Sequence, residues 1–275
     1  MIVVLFLYTC FMFNPSRRNR NIGTKKQGHG QANKLTIPRS PDLKGFYERL
    51  GNYTKHEVAI NGNELLFVVE ETRSDSQHAC SIEDITTLIE HITPEDCKGL
   101  KFIILRQPKR KENILSPVWG RLMYSYEFEK NYGPAIILEA ADYTKPLKWA
   151  RSLALNDQKE INRLKEDGHP FVDDGRSLTA ELTPEHVRNT QLYRSLPHEI
   201  GHYVHYLTVV ERPGNEDEGY DAWDQRWGLY RSIPASEREE FAHRYATQLK
   251  NELTEMQIIP FTTKIRESHS DTENP

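Results

Sequence analysis

The sequence predicts an α+β domain in which a small mixed sheet is followed by a group of helices. Two observations lead to this fold class. Short apolar runs bounded by turn residues dominate residues 58–140, whereas residues 157–256 carry apolar residues at helical spacing. Strands that come first and helices that come later are typical of α+β proteins, which pack helices against one part of a sheet.

The first half of the folded region contains the predicted strands. VAINGNELLFVV (58–69) carries Asn-Gly between two apolar runs, which predicts a β-hairpin because both residues tolerate positive φ. LKFIILRQ (100–107) predicts a buried strand, and RLMYSYEF (121–128) and GPAIILEA (133–140) predict two more. Between them, SIEDITTLIEHI (81–92) has apolar residues at helical spacing after a serine that can cap the helix.

The second half contains the predicted helices. Residues 157–168 predict a helix that ends at a glycine, and residues 183–196 predict one that opens with Thr183 as N-cap and a proline in the first turn. At Pro197 we expect a break or a new start, with Ser195 as the cap of the next helix.

That next helix covers residues 198–210 and ends at Arg-Pro-Gly. The last and longest helix is predicted over residues 235–256, with Ser236 available as its cap. Between these two helices, residues 216–224 are acidic, and we interpret them as a solvated loop. The alternatives are a surface that favours basic substrates and a lid with Gly214 and Gly219 as hinges.

Composition limits the classes of function. The chain has 275 residues, of which 37% are hydrophobic and 28% charged, so it can bury a sizeable core. Its net charge of -4 is small, and we therefore expect no nucleic-acid partner. Three widely spaced cysteines without a CxxC pair argue against cysteine-bound zinc and a disulfide framework. A reducing compartment follows, and a cytoplasmic location is favoured.

The two ends of the chain are predicted to lie outside the folded domain. Residues 1–13 are almost wholly apolar but shorter than the roughly 20 residues that span a bilayer. Three interpretations of this segment stay open: a start site placed too far upstream, a weak membrane anchor and an atypical export signal. Secretion or membrane contact is therefore an alternative to the cytoplasmic location. Residues 14–40 are interpreted as a basic flexible linker and residues 265–275 as a disordered tail. The domain is then 41–264, with 41–110 as a candidate N-terminal subdomain.

Residues 198–202 read HEIGH and match the pattern H-E-x-x-H. On a helix, His198 and His202 are four residues apart and lie on one face, so both imidazoles can bind one zinc ion, one per chain. Glu199 projects at a neighbouring angle and can act as general base on a water that zinc activates for attack on a peptide carbonyl. The alternative is an amphipathic helix that happens to be rich in histidine.

A catalytic zinc needs a third protein ligand. His205 lies on the same face, but three histidines in a straight row cannot surround one ion, so we interpret it as a helix-surface histidine. The last helix offers Glu239 at the edge of an apolar stripe that can pack on the HEIGH helix, and Glu240 is the alternative. In another interpretation, both glutamates are only favourable charges in a first helical turn.

The pair formed by HEIGH and E-x-F-A-x-x-Y, from Glu239 to Tyr245, resembles gluzincin metallopeptidases, most closely the catalytic domain of the anthrax-lethal-factor type. It is also similar to the E-x-x-A pattern of ImmA/IrrE-like peptidases. The resemblance covers roughly residues 195–250. It implies a zincin-like fold, zinc bound by His198, His202 and Glu239, and a protein or peptide substrate.

The resemblance implies further roles. Tyr230 is the candidate for a hydroxyl that stabilises the oxyanion, although it fits equally well as a loop aromatic packed beside Trp227. His243 stands where some relatives carry an aspartate and could orient a ligand. A strand that pairs with an extended substrate is expected in this fold, and GPAIILEA is our candidate. A non-catalytic regulatory protein on a peptidase scaffold and a lethal-factor-like toxin are the alternative functions.

Overall fold

Residues 45–110, 118–215 and 217–263 are described by a computed structural model of the chain. In these residues the chain is α+β, with mixed strand directions in its largest sheet and several helices, as the fold-class prediction expects at this level. The expectations for residues 1–13, 14–40 and 265–275 fall outside the described residues. Within the described part, no helix is both long enough and apolar enough to cross a membrane.

The strands are short, and their bounds are as follows: β1 (Tyr53–Ile60), β2 (Asn63–Glu70), β3 (Ser76–Gln77), β4 (Phe102–Arg106), β5 (Gly120–Phe128), β6 (Asn131–Glu139), β7 (Ala141–Asp142), β8 (Leu147–Ala150), β9 (Phe171–Asp173) and β10 (Ser177–Ala180). The helices are α1 (Ile82–Glu90), α2 (Leu155–Glu166), α3 (Pro184–Thr190), α4 (Leu196–Tyr206), α5 (Tyr220–Ser232) and α6 (Ala235–Glu255).

The largest sheet has the strand order β1-β2-β4-β6-β5. Strands β1 and β2 form the predicted antiparallel hairpin, and its turn residues Asn61 and Gly62 have φ angles of 50° and 79°. Strand β4 is parallel to both β2 and β6, and β5 closes the sheet as an antiparallel edge strand. Because strands from 53–106 and 120–139 share this sheet, the candidate subdomain 41–110 does not have a sheet of its own.

Both faces of the large sheet are covered, and β4 shows this directly. Ile103 and Leu105 face the core shared with the helices, whereas Phe102 and Ile104 face a second apolar cluster. All five residues of β4 are buried. A strand covered on both faces carries a continuous apolar run, which is why the sequence predicted this one correctly.

The two smaller sheets were not predicted. Strands β3 and β7 form an antiparallel pair, and β8, β10 and β9 form a three-stranded antiparallel sheet. Their strands are two to four residues long. Strands of this length are too short for an alternating pattern to stand out from a loop.

The predicted helix over 183–196 continues into the next helix without a break. Thr183 is the N-cap of α3, as expected, and its side chain accepts a hydrogen bond from the amide of His186. A π-helical turn, Gln191–Ser195, joins α3 to α4, and the amide of Leu196 bonds to the carbonyl of Gln191. The predicted break and the cap at Ser195 are therefore wrong. Ser195 has helical φ and ψ, and the wider turn accommodates Pro197, which cannot donate a backbone hydrogen bond.

Helix α4 also ends in a π-helical turn, Leu207–Glu211, before the predicted stop at Arg-Pro-Gly. Helix α6 matches the prediction of a long last helix, but its N-cap is Pro234 and no side chain caps it. Ser236 lies inside the first turn, so its predicted capping role is wrong.

Helix α5 replaces most of the segment that was interpreted as an acidic loop. Gly219, which was considered as a hinge, has an extended conformation and is the N-cap of this helix. Of the acidic residues described there, Glu218 forms an ion pair with Arg226, while Asp221 and Asp224 are exposed on the helix. Glu216 lies outside the described residues. The missed helix carries both glycine and aromatic residues and has no clear apolar stripe.

Candidate metal centre

The two histidines of HEIGH lie side by side on helix α4. The rings of His198 and His202 are 4.7 Å apart between centroids, and their side chains are 15% and 14% exposed, so both reach the protein surface without being free in solvent. The opposite face of the helix packs into the main core through Ile200, Tyr203 and Val204. The spacing that suggested a shared ion therefore places both rings on the open face of a buried helix.

Helix α6 crosses this face closely because Gly201 has no side chain. A Cβ atom at Gly201 would lie 2.9 Å from both the Cα and the carbonyl oxygen of Ala242. Real Cβ atoms do not approach backbone this closely, so glycine at 201 and a small residue at 242 are needed for the contact. The glycine of HEIGH and the alanine of E-x-F-A thus lie where the two helices approach each other most closely.

This packing brings Glu239 to the two histidines. Its Oε2 atom is 3.3 Å from Nε2 of His198, and its Oε1 atom is 3.4 Å from Nε2 of His202. Hydrogen bonds from the two imidazoles hold the pKa of the Glu239 carboxyl well below its usual range. Both glutamates are exposed, but Glu240 lies 3.9 Å from Arg244, with which it forms an ion pair. Of the two glutamates considered as third ligand, the structure places Glu239 beside the histidines.

The distances from Glu239 to the two histidines can be compared with those between the ligands of a tetrahedral zinc ion. Zinc bonds of about 2.0–2.2 Å place neighbouring ligand atoms about 3.4 Å apart in a tetrahedron. The nitrogen–oxygen separations at Glu239 agree with this value. Two imidazole nitrogens and one carboxylate are also a donor set that zinc prefers. The donor types of these three side chains therefore suit zinc, and each histidine lies beside a different oxygen of Glu239.

Glu199 lies behind the histidines, against strand β5. Burial raises the pKa of its carboxyl, and a hydrogen bond from the backbone amide of Leu122 opposes that change. An added Cβ on Gly120 would be 3.7 Å from the Cγ of Glu199, which shows how closely the strand backbone passes. The carboxylate is therefore oriented by the edge strand and is half-buried at the cavity wall.

Tyr230 is placed next to the cluster but is not exposed to the cavity beside it. It lies on helix α5 rather than in a loop, is 0% exposed and stacks on Trp227 at 5.9 Å between ring centroids. Its hydroxyl donates to the carbonyl of His202 at 3.4 Å and lies 2.6 Å from the hydroxyl of Tyr124. Tyr230 is thus packed beside Trp227, as in the second of the two interpretations of this residue, but on a helix.

Tyr124, which the sequence did not single out, is the phenol that lines the cavity. Burial raises the pKa of its hydroxyl, so the group stays protonated, and because Tyr230 donates to His202, Tyr124 donates to the Tyr230 hydroxyl. A register shift between Met123 and Tyr126 explains why it was missed. Leu122 and Tyr124 face the helices, but after the bulge Tyr126 and Phe128 face the opposite side of the sheet. Simple alternation therefore fails along this strand.

The remaining two histidines near the cluster differ in position. His205 stacks on Phe241 with 4.3 Å between centroids and an angle of 13°, which is the expected packing role at the helix surface. His243 lies 4.4 Å from the ring of His198, and burial lowers its pKa to about 4. His198, Glu239 and His243 also have potential ligand atoms within 4.8 Å of one another. His243 is thus close enough to support or join the ligand set.

A cavity of about 380 Å³ opens onto these side chains. The residues that line it come from β5, α4 and α6: Arg121, Leu122, Tyr124, His198, Glu199, His202, Ala235, Arg238 and Glu239. The candidate substrate strand GPAIILEA is wrong in this respect. It belongs to β6, which bonds to β4 on one side and to β5 on the other, so its backbone is already paired. The edge strand at the cavity is β5.

Comparisons with protein-family models, curated proteins and solved structures found no match to this chain.

Proposed function

We propose that the protein is a zinc-dependent metalloendopeptidase with a zincin-like fold. The observation that carries the proposal is the position of Glu239. A residue 37 positions after His202 in the sequence presents one carboxylate oxygen to each histidine of HEIGH, at 3.3 and 3.4 Å. Three side chains of the types found in a His2Glu site thus lie together, with a second carboxylate, that of Glu199, beside them.

His198, His202 and Glu239 would hold the ion. When bound, zinc supplies Lewis-acid activation of a water and of the substrate carbonyl. Glu199 accepts a proton at its carboxylate, and its raised pKa brings its basicity closer to that of the proton donor. The amide of Leu122 keeps this carboxylate pointed at the cavity. Tyr124 can donate its hydroxyl proton to negative charge that develops on the substrate carbonyl oxygen if the proton leaves its present acceptor, the hydroxyl of Tyr230.

Strand β5 supports a peptide as the substrate. It is the edge strand of the large sheet, and its residues Arg121, Leu122 and Tyr124 form one wall of the cavity. An extended peptide can add to such an edge through main-chain hydrogen bonds, which would carry its scissile bond past the histidines. A zinc hydrolase for small molecules would not need this edge.

The position of Glu199 also argues for catalysis over a regulatory role on the same scaffold. A carboxylate with a raised pKa is destabilising to the fold when it is ionised, because burial removes part of its hydration. A zinc site that only maintains structure gains nothing from this group. An enzyme gains a general base next to the reacting water.

The test combines metal analysis with a peptide-library assay. Purified protein should contain about one zinc per chain and cleave a mixture-based peptide library. Glu199→Gln should keep the zinc and lower kcat/KM by about 10³-fold, within the range usual for a general base. Glu240→Gln is the matched control, because it changes an exposed glutamate outside the cavity, and its rate should stay within about twofold. Folded protein that binds no zinc, or equal cleavage by Glu199→Gln, would overturn the proposal.

A further inference from the structure

The proposed general base, Glu199, takes its orientation from strand β5, which is an edge strand. The amide of Leu122 bonds to Glu199, and Tyr124 lines the cavity two residues further along. Among the described strands, only β6 pairs with β5, and the register between them shifts between Met123 and Tyr126. An edge strand has ladder hydrogen bonds on one side only, and a bulge interrupts part of that ladder. The position of β5 beside the helices therefore needs a further anchor.

The side chain of Gln191 provides such an anchor. Gln191 belongs to the π-helical turn before helix α4 and is 1% exposed. Its Nε2 atom donates to the carbonyl of Trp119 at 3.1 Å and to the carbonyl of Glu139 at 2.6 Å. Trp119 directly precedes β5, and Glu139 is the last residue of β6. One amide group thus ties the end of this strand pair to the helix that carries Glu199.

A carboxamide suits this position because it has two protons on one nitrogen. The carbonyl of Trp119 also accepts from the amide of Glu139 at 3.1 Å, so Gln191 uses its remaining lone pair. A carboxylate has no proton to give to either carbonyl, and an apolar side chain would remove both hydrogen bonds. The contact is therefore specific for an amide long enough to reach both strands.

The other end of the cavity-facing stretch of β5 is held differently. The ring of Tyr124 packs on Tyr206 of helix α4, with 5.1 Å between centroids. Between the two ends, the strand backbone passes so close to Glu199 that an added Cβ on Gly120 would lie 3.7 Å from its Cγ atom. Apolar contacts are non-directional and permit small shifts, whereas hydrogen bonds depend on distance and angle. The hydrogen bonds of Gln191 thus constrain the strand more closely than the ring contact does.

We propose that Gln191 is a positioning residue for the hydrolytic reaction and holds strand β5 where the amide of Leu122 meets the carboxylate of Glu199. The inference rests on the proposed peptidase function and adds a residue that acts through the strand rather than on the substrate. The three proposed zinc ligands lie on helices α4 and α6, so zinc binding does not require this anchor. Loss of the anchor should therefore impair catalysis and leave the metal in place.

The first test uses zinc-loaded protein without substrate and follows the Leu122 amide in proton–nitrogen correlation spectra. Glu199→Ala removes the acceptor of this amide and defines the shift that follows when the hydrogen bond is lost. Gln191→Met keeps the length of the side chain but has no donor, and it should move the Leu122 signal in the same direction. Gln191→Asn keeps an amide that is too short to reach both carbonyls. It should give the same direction of shift, and it carries the test if Gln191→Met does not fold.

The same variants are then compared in zinc affinity and in cleavage of a library peptide. Gln191→Met should lower kcat/KM by about 10- to 10²-fold, because small misplacements of catalytic groups have effects of this size. Its dissociation constant for zinc should stay within about twofold of that of the unchanged protein, since all ligands remain. Gln107→Met is the matched control, because Gln107 is also buried and also donates to a backbone carbonyl but does not line the cavity. It should leave both the Leu122 signal and the rate unchanged.

The outcomes separate this inference from the proposed function. An unshifted Leu122 signal in both Gln191 variants would overturn the inference, whether or not the protein cleaves peptides. Equal losses of zinc affinity and of rate in Gln191→Met would also overturn it, because that pattern describes a general loss of structure. Absence of cleavage by the unchanged protein would overturn the proposed function instead, and a shifted Leu122 signal would then still support the placement of β5 by Gln191.

Discussion

Two groups of histidines in this protein have similar residues but opposite surroundings. The open cluster consists of His198, His202 and Glu239, and it faces the cavity. The closed cluster consists of His169, His186, Thr190 and Asp167, and His169 is only 2% exposed. In the open cluster, both Nε2 atoms point to one carboxylate. In the closed cluster, the rings of His169 and His186 are 5.5 Å apart and share no such acceptor.

The hydrogen bonds of the closed cluster explain the difference. Thr190 donates its hydroxyl proton to Asp167 at 2.9 Å, so it can only accept from Nε2 of His169, also at 2.9 Å. Asp167 in turn receives a hydrogen bond from Nε of Arg194 at 2.7 Å and lies 3.6 Å from Lys250. Thr190 and Asp167 are therefore both hydrogen-bonded to other protein groups. Histidine content does not make a metal site; ligand atoms that converge on an accessible point do.

The largest expected effect is on zinc affinity. His202→Ala removes one of the three proposed ligands and should weaken zinc binding on the order of 10³-fold, since the binding free energy is shared among few ligands. His169→Gln, in the closed cluster, should change the affinity by less than about twofold. Competition with a chromophoric zinc chelator at pH 7 measures both. Zinc loss in His169→Gln comparable to that in His202→Ala would show that the clusters are not functionally distinct.

The next effect separates the two glutamates of helix α6. Glu239→Ala should weaken zinc binding by about 10²-fold or more, because it removes the carboxylate beside both histidines. Glu240→Ala removes an exposed side chain and should have almost no effect. The same competition assay applies. The reverse order of the two variants would move the third ligand by one residue.

The closed cluster should make the stability of the fold depend on pH in the acid range. Burial lowers the pKa of His169 to about 4, with the charge of His186 as a second cause. The folded state thus binds the proton more weakly than the unfolded state, whose histidine has a pKa of about 6.5. The stability that depends on neutral His169 is present above pH 6.5 and is lost as the pH falls toward 4, by about 3 kcal/mol.

Urea unfolding of metal-free protein at pH 7 and pH 4 measures this loss. In His169→Gln, the unfolding free energy should fall less between pH 7 and pH 4, because glutamine does not titrate and the contribution of His169 is absent. The exposed His91 provides the control, and His91→Gln should keep the full decrease. An unchanged pH dependence in His169→Gln would assign the acid sensitivity to other groups.

The smallest expected effect concerns His243, whose ring lies beside His198 in the open cluster. His243→Ala should weaken zinc binding by about tenfold, as is usual when a group that supports a ligand is removed. His205→Ala is the control for the loss of packing alone, because it removes a ring that is packed between the same two helices. A loss of 10³-fold in His243→Ala would instead make His243 a ligand.

The sequence allowed the main elements of the fold to be predicted because their patterns are local. The Asn61-Gly62 hairpin, the buried strand β4 and helix α1 with its Ser81 cap depend on neighbouring residues. The two short sheets and helix α5 were missed because their segments carry little periodic signal. The break at Pro197 was wrong since a π-helical turn is not encoded by a pattern that sequence rules recognise.

In the candidate site, too, residues with a local sequence pattern could be predicted and residues without one could not. His198 and His202 could be found from spacing on one helix, whereas Arg121 and Tyr124 come from a strand that is remote in sequence. Their position depends on the bulge in β5 and on the edge location of that strand. Such residues have no local motif, and only the tertiary arrangement shows that they line the cavity.

The π-helical turn before helix α4 has a consequence for how the chain tolerates length changes. A π turn contains one more residue than the α turn it replaces, so Gln191–Ser195 acts as a built-in insertion. Its Gln191 side chain is anchored to the carbonyls of Trp119 and Glu139 on the sheet. Deleting one residue here would convert the π turn into an α turn and leave the helix downstream facing nearly the same direction relative to that anchor. A deletion between this turn and His198 would instead rotate the histidines by about 100° away from helix α6, even though every residue of HEIGH was intact.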